Sequence, residues 1–234
     1  MIPARFDEIR NLRLFQDISD ESFAALVRGA YVQNYPPHTE LITEGDSPDF
    51  LYIVLTGAVE LFATWNGKET TLATVWPVSN FILAATIAEL PYLKSARTIS
   101  KSRIILIPSE DVRAVFEADP VFAKSIVADL AIYYREAVKN TKNLKLRTSK
   151  ERLANYLLKC RHRQGDIDAI TLPCEKRLLA SYLGMTPENL SRAFNALREY
   201  GILIEGQNVY FKNLEKLIAF AKPDVLIDGH DFGI

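Results

Sequence analysis

Leu183-Gly184-Met185-Thr186-Pro187-Glu188-Asn189-Leu190-Ser191-Arg192 is the stretch whose reading decides the fold. Gly184 tolerates the positive φ of a sharp turn. Thr186 is a residue type that caps a helix through its side-chain oxygen, and Pro187 suits the first helical position, where its missing N–H costs nothing. The spacing predicts a helix to about Tyr200 that buries Leu190, Phe194 and Leu197, with Gly201 ending it in a left-handed conformation. Just upstream, residues 175–183 read as a shorter helix with Leu178, Leu179 and Leu183 on its apolar side. Two short helices joined by a Gly-containing turn make a helix-turn-helix. Downstream, Ile202-Leu203-Ile204-Glu205, Gly206-Gln207 and Asn208-Val209-Tyr210-Phe211 spell a two-stranded wing.

The second helix carries the chemistry. Glu188, Ser191 and Arg192 stand at i, i+3 and i+4, so they share one face near the helix N-terminus. Arginine fits guanine O6 and N7 bidentately, and glutamate accepts from cytosine N4, so the two together suit one G·C pair in a major groove. Ser191 is small enough for close approach to a neighbouring base. Thr186, Asn189 and the helix N-terminus are available to a phosphate or a flanking base. Elsewhere Glu188 and Arg192 would read as an ordinary surface ion pair, and Glu188 is expected to brace Arg192 within the helix. At the start of a recognition helix, base reading is the better account.

Working outward, residues 147–222 hold 13 Lys/Arg against 8 Asp/Glu, an excess of five positive charges in a chain whose net charge is −1. That excess suits phosphate contacts without proving them. Thr148, Ser149 or Lys150 begins this part. Before it, the stretch from Pro120 to Leu146 holds neither Gly nor another Pro. In it Ala123, Val127, Leu130, Tyr134, Ala137, Thr141 and Leu144 recur at alternating steps of four and three. This is a heptad seam, by which two helices of separate chains pack. Ile126, Tyr133 and Val138 lie off the seam and are free to face the chain's own N-terminal part. From Tyr31 to Ile107 short β-rich runs alternate with turn signals, including Asn66-Gly67, a type I′ hairpin pair. Strands at that spacing mean a sandwich, roll or barrel.

Composition excludes several classes. The chain has 234 residues, 48% of them hydrophobic and 24% charged, which is ordinary for a globular protein. Its two cysteines, Cys160 and Cys174, build neither a disulfide framework nor a close-paired metal site. No basic-then-apolar leader opens it, and the apolar stretch 81–85 is far below a membrane span, so no membrane is expected and the expected compartment is cytoplasmic. There is no Gly-x-Ser-x-Gly elbow, His-Glu-x-x-His pair or phosphate-binding glycine loop. No catalytic residue and no metal ligand is assigned, and the chain is not expected to be an enzyme.

These residues resemble the cyclic-AMP receptor protein / fumarate-and-nitrate-reduction regulator (CRP/FNR) family, over nearly the whole chain. In the N-terminal part, Leu41-Ile42-Thr43-Glu44-Gly45-Asp46 and Leu51-Tyr52-Ile53-Val54-Leu55-Thr56-Gly57 are similar to its glycine-spaced strand pattern. Residues 183–192 are similar to its recognition segment. The Glu-x-x-Ser-Arg form resembles the FNR branch; the cyclic-AMP branch has Gly where Ser191 stands. The resemblance implies an α+β chain: a β-roll sensor of the cyclic-nucleotide-binding kind over 1–115, a dimerisation helix over 116–146 and a winged helix-turn-helix over 147–234. It further implies a homodimeric transcription regulator or activator of TTGAT-like palindromes, with double-stranded DNA and RNA polymerase as partners.

The departures bear on the signal. Where the cyclic-nucleotide branch has Gly-Glu, Phe81-Ile82 is followed by Leu83-Ala84, and Lys94-Ser95-Ala96 replaces Arg-Ser-Ala. The lost Glu would hold a ribose hydroxyl, and Lys94 keeps a charge without the bidentate fork. Cyclic AMP is therefore not expected. The N-terminal cysteines of the oxygen-sensing branch are missing, so no iron–sulfur cluster is expected. What remains is a candidate effector pocket at Phe81, Ile82, Leu83, Ala84, Lys94 and Ser95, with Ile87, Leu90 and Leu93 beside it. Relatives lacking both devices include nitric-oxide-responsive regulators, some resembling haem binders, so haem is a candidate cofactor. Of the three histidines, His162 and His230 lie in the C-terminal part and His38 follows Pro36-Pro37 in a loop. Two alternatives stay open: an effector-independent regulator of the same fold whose apolar pocket is packed core, and a cyclic-nucleotide-responsive one with a divergent pocket.

Overall fold

The computed structural model describes residues 6–229, which form two compact units, one up to Tyr133 and one from Tyr134 onward. His230 lies outside the described residues. The first unit opens with α1 (Asp7–Arg10) and α2 (Asp20–Leu26). Ser19 caps α2, its hydroxyl accepting from the Ser22 N–H at 3.0 Å.

Eight strands follow: β1 (Tyr31–Tyr35), β2 (Glu40–Ile42), β3 (Phe50–Thr56), β4 (Val59–Trp65), β5 (Lys68–Val75), β6 (Ser79–Phe81), β7 (Ser95–Thr98) and β8 (Ser102–Pro108). They pair antiparallel in two sheets, ordered β1-β8-β3-β6 and β2-β7-β4-β5. Strand side chains alternate between faces, and β3 and β8 are apolar on both. Leu51, Ile53, Leu55, Ile105 and Ile107 join Phe6, Phe15, Phe23 and Phe122 in one core. Tyr52, Val54, Ile104 and Leu106 turn the other way, into the roll interior with Val59, Leu61, Phe81 and Ala96. Each such side chain taken out of water stabilises the fold by roughly 1.5–3 kcal/mol. This double burial explains the unbroken run Phe50–Leu55, where one-sided alternation would have been the simpler expectation. The β4–β5 hairpin turns at Asn66-Gly67, both with positive φ, and Trp65 pairs with Lys68 across it. Gly57, at φ +84°, passes so close to Lys101 that a Cβ there would lie 2.5 Å from its carbonyl oxygen.

Helix α3 (Leu83–Ala88) interrupts the strands, and α4 (Ser109–Ala118) follows them. Helix α5 (Pro120–Leu146) runs from the first unit into the second. Its start is capped by Asp119, whose Oδ1 accepts from the N–H groups of Val121 (2.8 Å) and Phe122 (3.3 Å). Among the described residues no helix is long and apolar enough to cross a membrane.

In the second unit α6 (Ser149–Arg163) begins with a capping box: Thr148 accepts from the Glu151 N–H, and Glu151 accepts from the Thr148 N–H at 2.8 Å. Then come β9 (Ala169–Thr171), α7 (Lys176–Tyr182), α8 (Pro187–Leu197), a 3-10 turn (Arg198–Tyr200), β10 (Ile202–Glu205), β11 (Asn208–Phe211), α9 (Leu214–Ala221) and α10 (Val225–Asp228). The sheet order is β10-β11-β9, so the wing is the hairpin β10–β11. Leu153, Leu157, Leu179, Leu190, Phe194, Leu197, Val209 and Leu217 share one core. The architecture is α+β: a two-sheeted roll, a long helix and a winged helix-turn-helix.

Candidate functional site

The recognition segment is built locally. Gly184 turns at φ +63° between α7 and α8, and Thr186 caps α8 by accepting from the Asn189 N–H at 3.3 Å, with Pro187 at the first turn. Leu190, Ala193, Phe194 and Leu197 are buried. That leaves Glu188, Asn189, Ser191 and Arg192 exposed. The Glu188 carboxyl is held below the usual carboxylate range, first by the Thr186 hydroxyl, then by its own backbone N–H, and least by Arg192. Among the described residues no ion pair joins Glu188 to Arg192, and the expected brace amounts only to the weakest of the three influences that lower the Glu188 carboxyl. The cap hydroxyl is fixed beside Glu188, whereas the Arg192 chain is long and free in solvent. Arg192 is thus left available to a ligand.

Reading the sequence missed two groups here. Asn195 is exposed at i+7 from Glu188 and i+4 from Ser191, on the same face; its spacing alone was enough to find it. The other is Arg152 of α6, whose role no local pattern signals. It donates from Nε to the Leu183 carbonyl (2.8 Å), from Nη2 to that of Gly184 (3.3 Å) and from Nη1 to those of Arg147 (2.8 Å) and Leu144 (3.5 Å). It therefore ties the end of α5 to the turn of the helix-turn-helix.

The candidate effector segment is less uniform than its sequence suggests. Phe81 and Ile82 face the roll interior, where the Phe81 ring stacks on Tyr52 at 5.1 Å. Leu83 instead packs into the core under α1 and α2, and Ala84 is exposed. Ile87 packs against that same core, while Leu90 and Leu93 are 60% and 86% exposed and line nothing. The reason is α3: in a helix Leu83 and Ile87, four apart, share the face turned to that core and Ala84 does not, while Leu90 and Leu93 lie beyond the helix end. Ile82 sits at φ +71°, a strained conformation for a β-branched residue. Ser95 is buried, its hydroxyl accepting from the Glu44 N–H at 2.9 Å. Lys94 is half-buried, makes no ion pair among the described residues, and burial pulls its ammonium below the ordinary lysine value.

The residues do not fit haem through an inward histidine. His38, the described histidine of the first unit, is exposed on the β1–β2 turn at φ +62°. His162 contacts Asp166 at 3.1 Å in the second unit. Among the described residues no group of three or more His, Cys, Asp or Glu is arranged to hold a metal ion.

On α5, Phe122 and Ile126 are fully buried, and Leu130 is packed partly against the same core. Val127 and Tyr134 are 62% and 72% exposed, and Ala137 and Thr141 are exposed with them. Leu144 is 40% exposed but comes close to the helix-turn-helix, since a Cβ on Gly184 would meet its Cδ2 at 2.9 Å. Tyr133 anchors its hydroxyl in the first unit, whereas Val138 lies past Tyr133, where the helix belongs to the second unit, and is exposed.

A sensor roll, a long helix with an apolar seam and a winged helix-turn-helix with an open polar face define a DNA-binding regulator with an effector domain. The Crp-like helix-turn-helix domain family matches residues 151–220, and the cyclic nucleotide-binding domain family matches residues 32–119. The cyclic AMP receptor protein of Thermus thermophilus is 30% identical over 171 residues, 72% of this chain and 77% of its own. The CRP-like cAMP-activated global transcriptional regulator of Mycobacterium tuberculosis is 24% identical over 215 residues, 89% of this chain and 96% of its own. The solved structure of a regulatory protein from Silicibacter pomeroyi matches at 27% identity with a TM-score of 0.60, covering 92% of this chain and 97% of that one. The chain belongs to the CRP/FNR family of transcription regulators, which are not enzymes.

Proposed function

We propose that the chain reads TTGAT-like palindromes as a homodimer under the control of a small effector in the roll. The observation that carries this is the open face of α8. Arg192 takes the guanine, Glu188 the paired cytosine, Ser191 a neighbouring base, and Thr186 and Asn189 the flanking backbone. Dimerisation is read from the seam Val127, Leu130, Tyr134, Ala137, Thr141 and Leu144, since Val127, Tyr134 and Leu144 are apolar side chains exposed on a long helix and call for a partner. A two-fold dimer spaces its recognition helices one turn of DNA apart. Residues 1–115 serve as sensor, 116–146 as dimer helix and 147–234 as DNA-binding domain, and RNA polymerase is the partner of the DNA-bound state.

The effector is a small molecule with an apolar body and one anionic group. Phe81 and Ile82 supply the apolar surface; Lys94, desolvated and without an ion pair, gains most from an anion. A cyclic nucleotide is the second reading, supported by the names of the relatives and opposed by Ala84, which has no carboxylate for ribose. Nitric oxide through haem is a weaker third, because His38 points no ligand into the roll interior. Fluorescence anisotropy at fixed salt on a TTGAT palindrome and a scrambled duplex tests the proposal, with cyclic AMP, a panel of organic anions and haem with nitric oxide as separate arms. Preference for the palindrome, raised by one anion and lost in Lys94→Met, is expected. Equal affinity for both duplexes in every arm contradicts it.

A further inference from the structure

The inward side of α5 starts apolar, with Phe122 and Ile126, and then presents a carboxylate, Asp129, only 3% exposed. Its oxygens are taken from two directions. Oδ1 accepts from Arg13, from Nε at 3.0 Å and also from Nη2. Oδ2 accepts from Nδ2 of Asn80 at 3.0 Å. One turn along the helix, the Tyr133 hydroxyl donates to the Asn80 backbone carbonyl (3.0 Å) and lies 3.1 Å from its side-chain Oδ1. Asn80 is thus held through three of its atoms by residues at i and i+4 of one helix.

Packing alone does not account for this choice of residues. Burying a carboxylate costs free energy that an apolar side chain at the same place would not. What the cluster does supply is a defined connection. Asn80 is the middle residue of β6 and is followed directly by Phe81 and the strained Ile82. At the other end, Asp129 and Tyr133 alternate with the seam positions Leu130 and Tyr134. A segment under backbone strain has a reason to move when its tether changes.

We infer that Asp129 is a positioning residue that, through Asn80, couples the effector-facing residues Phe81 and Ile82 to the dimer helix where that helix bears its seam. The inference rests on the regulator reading proposed above and adds the path by which the roll addresses α5. Ligand entry at Phe81 and Ile82 shifts β6, and Asn80 passes the shift to Asp129 and Tyr133 as a change in how α5 is held.

Three full-length variants test it: Asn80→Ala, Asp129→Asn, and the exchange Asn80→Asp/Asp129→Asn, which restores a donor facing an acceptor with the polarity reversed. None touches DNA or the seam. Each single variant is expected to change the Kd for the palindrome by about fivefold while remaining dimeric in sedimentation, and the exchange variant to return to within about twofold of the parent. Hydrogen exchange in residues 79–88 is expected to quicken in Asp129→Asn, although the substitution lies on another element. A Kd unchanged in both single variants, or an exchange variant no better than either, overturns the coupling and leaves a structural cluster. If the parent protein binds no palindrome in any arm, the site reading fails, and hydrogen exchange decides the coupling alone: quickened exchange in 79–88 sustains it and unchanged exchange overturns it.

Discussion

Arg152 donates to the carbonyl oxygen of Leu183 at 2.8 Å, and through its other nitrogens the same guanidinium holds the carbonyls of Leu144 and Arg147. One side chain thereby joins the end of α5 to the turn before α8. Burial pulls its proton affinity down somewhat, and four carbonyl oxygens face the charged guanidinium and offset the lost hydration. Arg152→Ala is expected to lower stability by about 1.5–3 kcal/mol, the worth of hydrogen bonds to a charged group, and to weaken binding on all DNA sequences alike. Arg152→Lys should recover little, because an ammonium does not span that fan of acceptors. Urea unfolding and anisotropy on two duplexes check both; loss confined to the palindrome would contradict a positioning role.

The pair Arg147–Asp228 is the most enclosed in the second unit, with both side chains under 10% exposed and N···O distances of 2.7 and 2.6 Å. Removing one partner of such a pair strands the other, at a cost of about 3–5 kcal/mol. Asp228→Ala should lose that much in chemical denaturation, whereas Arg147→Met combined with Asp228→Leu should lose much less. Equal losses would mean that the pair itself, and not the stranded charge, dominates.

Lys94 sets a pH dependence. Its folded-state pKa lies below the ordinary 10.5, so over the interval between the two the unfolded chain binds more protons and stability rises with pH. Below that interval the desolvation cost is present in full; above it the cost is gone. The parent protein should therefore gain stability relative to Lys94→Met as pH climbs through the alkaline range, and Lys94→Met should be at least as stable at neutral pH. Parallel pH profiles in thermal unfolding would show that Lys94 keeps its ordinary proton affinity.

The seam has a direct test in Tyr134→Glu. Tyr134 is 72% exposed in one chain and takes no part in its core, so a carboxylate there leaves the fold alone. In the dimer it brings two like charges together across the seam. Sedimentation at micromolar concentration should pass from a dimer to the 26.4 kDa monomer with unfolding unchanged. A variant that stays dimeric moves the interface elsewhere.

What could be read from the sequence is what neighbouring residues dictate to one another. Thr186-Pro187, Gly184, Asn66-Gly67 and Ser19 act within four residues of themselves, and each stands where its local chemistry puts it. The heptad spacing marked Val127 and Tyr134 as exposed for the same reason. What could not be read depends on distant partners. Arg13 and Asp129 are separated by 116 positions, and nothing near either hints at the other. Leu83, Leu90 and Leu93 looked alike as apolar letters, but α3 packs Leu83 into the core and ends before Leu90 and Leu93, which stand in solvent. Glu188 and Arg192 have the spacing of a helical pair, yet among the described residues no ion pair joins them, since both residues are exposed to solvent.

Base reading by Arg192 is open to a direct test. Anisotropy at fixed salt should compare the parent and Arg192→Ala on a TTGAT palindrome and on the same duplex with the G·C pair of each half-site replaced by A·T. Arg192→Ala is expected to lose roughly 1–3 kcal/mol on the palindrome and nothing on the substituted duplex, so that it no longer distinguishes them. Equal loss on both duplexes would contradict base reading and reduce Arg192 to a phosphate contact.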